Sequence, residues 1–152
     1  MAGRAMMEAL ARCGFAVHAL SGTILGLDRE VDPTSWLSER GWASRRSEGA
    51  ALDDRGRALP PHLHLNVRGV PIVLHLGHTR PHEPDDAERE AFLRLFDDVL
   101  DRFRPDVVVG YGGNRLVREV FARAQARGAA TAFLLQNLHN RDPATFADVD
   151  AV

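Results

Sequence analysis

Two apolar runs separated by a helical pattern constrain the fold of this 152-residue chain more than any other feature. Residues 106–110 are a short continuous run of the kind found in strands buried on both faces, and residues 130–135 form a second strand-like run. Between them, apolar side chains recur at helical spacing until Gly128 stops the helix. This order predicts two parallel strands joined by a right-handed helical crossover.

The first third of the chain carries weaker signals. Apolar spacing over residues 3–13, with Gly14 as a stop, predicts a helix, and residues 15–20 predict the strand that follows it. Asp32 and Pro33 are typical of the start of a short helix. Most of the remaining sequence up to residue 61 is rich in Ser, Arg, Asp and Gly, and we expect it to be exposed loop.

The middle of the chain predicts a β-hairpin. Residues 62–68 alternate strictly between apolar and polar side chains, and residues 70–76 are strand-like again. We therefore expect a turn at Arg68 and Gly69, with Pro71 placing its strand toward the edge of the sheet.

A long helix is predicted after the hairpin. Asp85 and Glu88 have the spacing of a capping box, and Pro105 ends the segment. One apolar stripe runs along the helix and should cover a sheet face, formed by Phe92, Leu93, Phe96, Val99, Leu100 and Phe103.

These elements predict an α/β fold, specifically a Rossmann-like three-layer domain with a mainly parallel sheet and a β-hairpin. Such domains normally open on a strand, whereas the first helix here begins almost at Met1, so we expect that the first strand is missing or that the start codon lies upstream. The chain ends at residues 150–152 on what looks like the start of another strand. Residues 1–152 are therefore expected to be one N-terminal domain of a larger protein.

Composition excludes several classes of function. The formal net charge of -2 gives no global positive field, which argues against nucleic acid as a partner. Every basic side chain is Arg, so Schiff-base and P-loop lysine chemistry are excluded. The single Cys13 allows no internal disulfide and favours a cytoplasmic location. No apolar run approaches the roughly 20 residues of a membrane span, so we expect any membrane contact to be peripheral.

Three segments follow predicted strands, where ligands bind in open parallel sheets: residues 21–23, 111–114 and 136–142. In the second, Gly112 and Gly113 precede a helix and could bring backbone N–H groups close to a phosphate or a hydroxyl, although a Gly-Gly turn also has a purely geometric explanation. In the third, six of seven side chains can form hydrogen bonds, which suits polyol recognition. Alternatively, its asparagines tie down a loop and Asp142 caps the next turn.

A metal site is not expected. His75, His78 and His82 are close in sequence, but metal sites usually add a carboxylate or thiolate held on rigid elements, and Gly77 and Pro81 interrupt this segment. His62 and His64 share one face of the predicted hairpin, where we expect solvated side chains, and His18 is expected to lie within a strand.

Four stretches together resemble the N-terminal domain of GT-B glycosyltransferases of the bacterial family 4 type. Residues 7–20 resemble the first helix and second strand of that family, and residues 103–109 resemble its "fxPDVvh" strand entry. Residues 127–137 resemble the strand "rrGipvvfxlHn", and residues 141–152 resemble the approach to the strand "DavivpS". The resemblance covers most of the chain outside residues 26–60.

This resemblance implies that the chain is the acceptor-binding half of an enzyme that transfers a sugar from a nucleotide-sugar donor to a small-molecule or glycan acceptor. In the family, a C-terminal domain with an "E-x7-E" pattern binds the donor. That domain is not part of these residues, so the chain alone is expected to be catalytically silent. No cofactor or metal is implied beyond the nucleotide-sugar co-substrate.

The implied site has one departure from the family pattern. The family usually has His just after the fifth strand, where this chain has Gln136, and His139 follows three residues later. The amide of Gln136 can hydrogen-bond a sugar hydroxyl but cannot act as a general base, so either the transfer needs no protein base or His139 has that role. The implied catalytic residues are Gln136 and His139, and the implied substrate-binding residues are Gly112, Gly113, Asn114 and Asn137.

Two other interpretations stay open. A non-catalytic Rossmann-like module would bind a ligand or partner at the same strand ends. An epimerase or hydrolase of the same architecture would need carboxylates facing the site, and Asp28 and Asp142 are more simply explained as loop and cap residues. The sequence contains neither a Gly-x-Ser-x-Gly elbow nor a Gly-x-Gly-x-x-Gly fingerprint, which argues against hydrolase and dinucleotide-binding functions.

Overall fold

A computed structural model describes residues 2–22, 33–47, 52–53, 55–77, 85–111, 116–134 and 148–151. These residues form helices, a mixed four-stranded sheet and a two-stranded parallel sheet, which confirms the α/β class. The chain divides into two compact units, Met1–Pro81 and His82–Val152. None of the described helices is long and apolar enough to cross a membrane.

The first unit is built on the mixed sheet. Its described elements are α1 (Ala2–Arg12), β1 (Ala19–Ser21), α2 (Pro33–Glu39), β2 (Ser44–Arg46), β3 (His62–Val67) and β4 (Val70–His75). The strand order is β1-β4-β3-β2, in which β1 and β4 are parallel and the other neighbours are antiparallel. This sheet therefore has more antiparallel than parallel pairings, whereas a mainly parallel sheet was predicted.

The predicted first helix is confirmed as α1, and Gly14 follows it in the left-handed region at φ +89°. The strand after it is shorter than predicted, because β1 begins only at Ala19 and Phe15 is 64% exposed. Ala19 pairs with Ile72, so the preceding register position on β4 belongs to Pro71. Proline has no N–H for the ladder, which accounts for the late start of β1.

The predicted hairpin is confirmed, with Val67 paired to Val70 across a two-residue turn. Arg68 and Gly69 both have positive φ, at 52° and 87°, as a type I′ turn requires. The N–H of Gly69 donates to Oδ1 of Asn66 at 2.8 Å. The turn thus fixes the register of β3 against β4.

The predicted edge position of Pro71 is wrong, because β4 lies between β1 and β3. In a two-residue hairpin the pair beside the turn exchanges hydrogen bonds, and the next pair, here Asn66 and Pro71, does not. The nitrogen of Pro71 is therefore directed toward the side on which β1 lies. The pairing of β1 with β4 begins one position later, at Ala19 and Ile72, so no strand residue faces this nitrogen. An interior strand tolerates proline here because no ladder hydrogen bond is lost.

The core of the first unit lies on one face of this sheet. Leu37 of α2 packs with Leu63 and Leu74, and the surrounding side chains are Trp36, Trp42, Leu65 and Leu76. The rings of Trp36 and Trp42 meet edge to face with centroids 6.3 Å apart. The predicted short helix is confirmed as α2, whereas the segment predicted as loop contributes β2 and the core side chain of Trp42. Its strand β2 has no apolar alternation, because it is a three-residue edge strand of sequence Ser-Arg-Arg.

The second unit contains the predicted strand–helix–strand sequence. Its described elements are α3 (Asp86–Phe103), β5 (Val107–Tyr111), α4 (Val117–Gln125) and β6 (Ala130–Leu134). As predicted, β5 and β6 are parallel, in a register that runs from Val107↔Ala130 to Tyr111↔Leu134. Asp85 caps α3 by accepting a hydrogen bond from the N–H of Glu88 at 2.8 Å, and the apolar stripe is largely buried.

The prediction that β5 is buried on both faces is wrong. Val108 packs against the core made by Val117, Phe121 and Phe133, but the alternate residues face outward. Val107 and Val109 are 53% and 41% exposed. The apolar run therefore predicted the strand but not its one-sided burial.

The predicted start of a further strand near the end of the chain is confirmed by a parallel bridge between Ala132 and Ala151. The N–H of Phe133 donates to the carbonyl of Ala151 at 2.9 Å, and the N–H of Ala151 donates to the carbonyl of Thr131 at 3.1 Å. Strand β6 thus has β5 on one side and this bridge on the other.

Candidate functional site

The carboxyl ends of β5 and β6 lie side by side. Tyr111 and Leu134, the last residues of the two strands, are paired in the sheet. The two segments predicted to hold the site follow these strands in the sequence. The predicted site residues themselves lie outside the described residues: Gly112, Gly113, Asn114, Gln136, Asn137 and His139.

Gly110, one residue before the end of β5, allows α4 to pack closely on the strand. A Cβ atom at this position would lie 2.6 Å from Cζ of Phe121 and 3.2 Å from Cδ2 of Phe133. Phe121 and Phe133 also meet edge to face, with ring centroids 6.5 Å apart. Glycine is therefore required here for helix–strand contact, directly before the first predicted ligand segment.

The chain that follows the second predicted segment is anchored beside β6. The backbone N–H and the hydroxyl of Thr131 donate to Oδ2 of Asp150 at 2.7 and 2.8 Å. Gln125 at the end of α4 donates to Oγ1 of Thr131 at 3.0 Å and to the carbonyl of Asp148 at 2.6 Å. The hydrogen bonds from Thr131, led by its backbone N–H, hold the pKa of Asp150 below its ordinary value.

Ion pairs hold α3 and α4 together. Arg123 of α4 and Arg127, two residues after the end of that helix, both contact the buried carboxylate of Asp97, the latter at 3.0 Å. Arg127 also donates to Asp101 at 2.6 Å, and Arg89 contacts Glu119 at 3.0 Å. Helices α3 and α4 are therefore joined by several charged contacts along their lengths.

A second group of polar side chains lies at the carboxyl edge of the parallel pair β1 and β4. Ser21, the first residue of the first predicted ligand segment, ends β1, and His75 ends β4. Because β3 is antiparallel to β4, its first residue, His62, pairs with His75 at this same edge. Both histidines are buried, at 3% and 4% exposure.

His62 and His64 form a close pair on one face of β3. Their Nε2 atoms are 3.1 Å apart, and their ring centroids are 4.8 Å apart. Nδ1 of His62 lies 2.7 Å from the carbonyl oxygen of Pro60. The prediction that both histidines share one face is confirmed. The prediction that His62 is solvated is wrong, because strand alternation does not reveal what covers each face of a sheet.

A cleft of about 440 Å³ lies at the opposite, amino edge of the first unit. It is lined in part by Glu8, Phe15 and His18. Glu8 accepts hydrogen bonds from Arg4 and Arg68, both at 2.9 Å. Burial acts to raise the pKa of Glu8, but the hydrogen bonds and charges of these arginines outweigh it and hold the pKa below its ordinary value. Because ligands of α/β sheets bind at the carboxyl ends of strands, we interpret Glu8 as a tie between α1 and the hairpin.

His18 lies in the segment just before β1, whereas a position within the strand was predicted. Desolvation lowers the pKa of His18 from its ordinary value. His78, His82, Asp28 and Asp142 lie outside the described residues. Within the described ranges, no three His, Cys, Asp or Glu side chains form a group that could hold a metal ion.

Comparison of the chain with known protein families, with curated proteins and with solved structures finds no match.

Proposed function

We propose that this chain is the acceptor-binding part of a glycosyltransferase, with a Rossmann-like three-layer fold. The observation that supports it best is the pairing of Tyr111 with Leu134 at the carboxyl ends of parallel strands. Ligands of open parallel sheets bind at such ends. Both segments that follow these ends in the sequence are rich in groups suited to hydroxyl recognition, namely glycine N–H groups, amides and an imidazole.

In this proposal the two segments have different roles. Gly112 and Gly113 would bind the acceptor through backbone N–H groups, which donate hydrogen bonds. Asn114 and Asn137 would bind it through side-chain amides, which can both donate to and accept from a polyol. Gln136 would orient the reacting hydroxyl, and His139 would accept its proton. The donor, a nucleotide sugar, would be held by another domain, because transfer needs both substrates in one reactive geometry.

The decisive experiment measures sugar transfer by the protein that the complete gene encodes, with a panel of nucleotide sugars and glycan or small-molecule acceptors. Gln136→Ala should lower kcat/KM at least about tenfold, which corresponds to the loss of one transition-state hydrogen bond. Unchanged turnover would remove Gln136 from the site. His139→Ala should lower kcat further and alter the pH profile, as expected for a general base.

Controls separate these effects from changes in folding. His18→Ala removes a histidine of the first unit, and Arg118→Ala removes an exposed charge from α4, the helix that follows the first site segment. Both variants should keep the parent activity. Saturable acceptor binding without transfer to any acceptor would instead favour a non-catalytic binding module.

A further inference from the structure

We propose that His62 and His64 form a chelating site for a divalent first-row transition-metal ion. The site lies on β3 in the first unit and is independent of the proposed sugar transfer. Imidazole nitrogen is a preferred ligand of Zn²⁺, Ni²⁺ and Cu²⁺, and Cu²⁺ is expected to bind most tightly of the three.

The two distances between the rings together fit coordination of one ion by both imidazoles. Two imidazoles bound at about 2.1 Å to one ion, at about 90–100° to each other, place their nitrogens roughly 3.0–3.2 Å apart and their ring centres roughly 4.6–5.0 Å apart. In this protein the Nε2 atoms are 3.1 Å apart and the centroids 4.8 Å apart. A head-on hydrogen bond of the same length would separate the ring centres by about 5.4 Å. The two distances therefore fit coordination of one ion by both rings, and in the metal-free protein the same two Nε2 atoms share a bent hydrogen bond.

The surroundings of His62 favour a metal-binding tautomer. A carbonyl oxygen can only accept a hydrogen bond, so the contact with Pro60 places the proton of neutral His62 on Nδ1 and leaves a lone pair on Nε2. In the metal-free protein this lone pair accepts a hydrogen bond from Nε2–H of His64, and an ion bound between the rings displaces that proton. Metal-bound histidines commonly donate their second ring N–H to a backbone carbonyl in this way. Pro60 is followed by Pro61, whose own carbonyl accepts from the N–H of Leu76 at 2.9 Å, so the orienting carbonyl is held in a stiff segment.

The pair is also placed where an ion could enter. His62 is 3% exposed, whereas His64 is only partly buried. In the antiparallel pairing, Arg45 of β2 is the partner of His64, and Arg46 is the partner of Leu63 on the opposite face. Two protein ligands leave the remaining coordination positions open to water, unlike a closed structural site, which has four protein ligands.

The first test is titration of the metal-free protein with Cu²⁺, followed by calorimetry and by electron paramagnetic resonance. The parent protein should show one site whose spectrum carries two nitrogen couplings. His64→Gln should weaken this site at least about tenfold and leave one coupling. The matched control His18→Gln removes a histidine outside the pair and should change neither result. Equal Cu²⁺ affinity in His64→Gln and the parent would overturn the proposal.

The second test is a gain of affinity, which loss of folding cannot imitate. Side chains of cross-strand partners lie on the same face of a sheet, about 5 Å apart at Cβ. Arg45→Glu should therefore remove a cation beside His64 and supply a carboxylate ligand, strengthening Cu²⁺ binding by about tenfold or more. Arg46→Glu makes the same change in net charge on the opposite face. Equal Cu²⁺ affinity in the two variants would show that no ion binds between His62 and His64.

Discussion

Gly110 is the position at which the second unit has least space for a side chain. A methyl group there would overlap the ring of Phe121, which is itself held against Phe133 in the core. We expect Gly110→Ala to lower the free energy of unfolding by about 1–3 kcal/mol, because overpacking forces buried rings out of position. Urea denaturation measures this change.

Gly22 provides the matched control for Gly110. It has open space around its Cα, and its φ is not in the positive range that disfavours other residues. Gly22→Ala should therefore change the free energy of unfolding by less than about 0.5 kcal/mol. Equal losses in the two variants would mean that the contact with Phe121 is not what requires glycine at position 110.

Histidine burial shows the limit of sequence reasoning for single residues. The alternation of residues 62–68 placed His62 and His64 on one face, and the structure confirms this placement. It could not reveal that His62 is buried or that the two rings meet, because both depend on what covers the sheet. The segments after β5 and β6 could be selected as a candidate site because strand ends follow from local pattern.

At the scale of elements, the start of α3 depends on a single side chain. Oδ1 of Asp85 accepts the otherwise unpaired N–H of Glu88 in the first turn. Asp85→Ala should lower the free energy of unfolding by about 1 kcal/mol, within the range of 0.5–2 known for lost caps. Thermal or urea denaturation of the purified variant gives the value.

The adjacent Asp86 distinguishes capping from general helix electrostatics. Its side chain is fully exposed, and its nearest charged contact, with Arg89, is 4.0 Å long. Asp86→Ala should cost only a few tenths of a kcal/mol, about 0.3, through the helix dipole. If Asp86→Ala destabilised the protein as much as Asp85→Ala, the cap would not be the stabilising contact.

Elements whose apolar residues recur at regular helix or strand spacing could be predicted from the sequence. Elements that form only by pairing with another strand could not. The stripe of α3, the two positive-φ residues of the hairpin turn and the parallel pair β5 and β6 all follow from local pattern. Strand β2 has no apolar signal, and its existence depends on pairing with β3. The interior position of Pro71 likewise depends on where β1 begins.

At the scale of the whole molecule, acid should destabilise the chain. Three carboxylates, those of Glu8, Asp53 and Asp150, have pKa values held below their ordinary values. Each stabilises the folded state fully at pH values above its unfolded pKa, which is about 4, and that stabilisation is lost as the pH falls through the lower folded pKa. The free energy of unfolding, measured in urea from pH 7 to pH 3, should therefore fall below about pH 4.

Glu8→Gln tests the contribution of one of these groups to the acid response. The variant should lose stability at pH 7 and show a shallower fall toward pH 3, because the ionised partner of Arg4 and Arg68 is gone. The control Glu90→Gln, at an exposed position on α3, should keep the parent slope. A Glu8→Gln curve parallel to that of the parent would contradict the assignment.

The division of the chain into two compact units gives each of them its own chromophore. Both tryptophans of the sequence, Trp36 and Trp42, belong to the first unit, and its one tyrosine, Tyr111, belongs to the second. Fluorescence excited at wavelengths that only indole absorbs therefore reports on the first unit. The phenol band, resolved from the stronger indole bands by second-derivative absorption spectroscopy, reports on the second. Whether the two units melt together or in succession can be observed in the unlabelled protein.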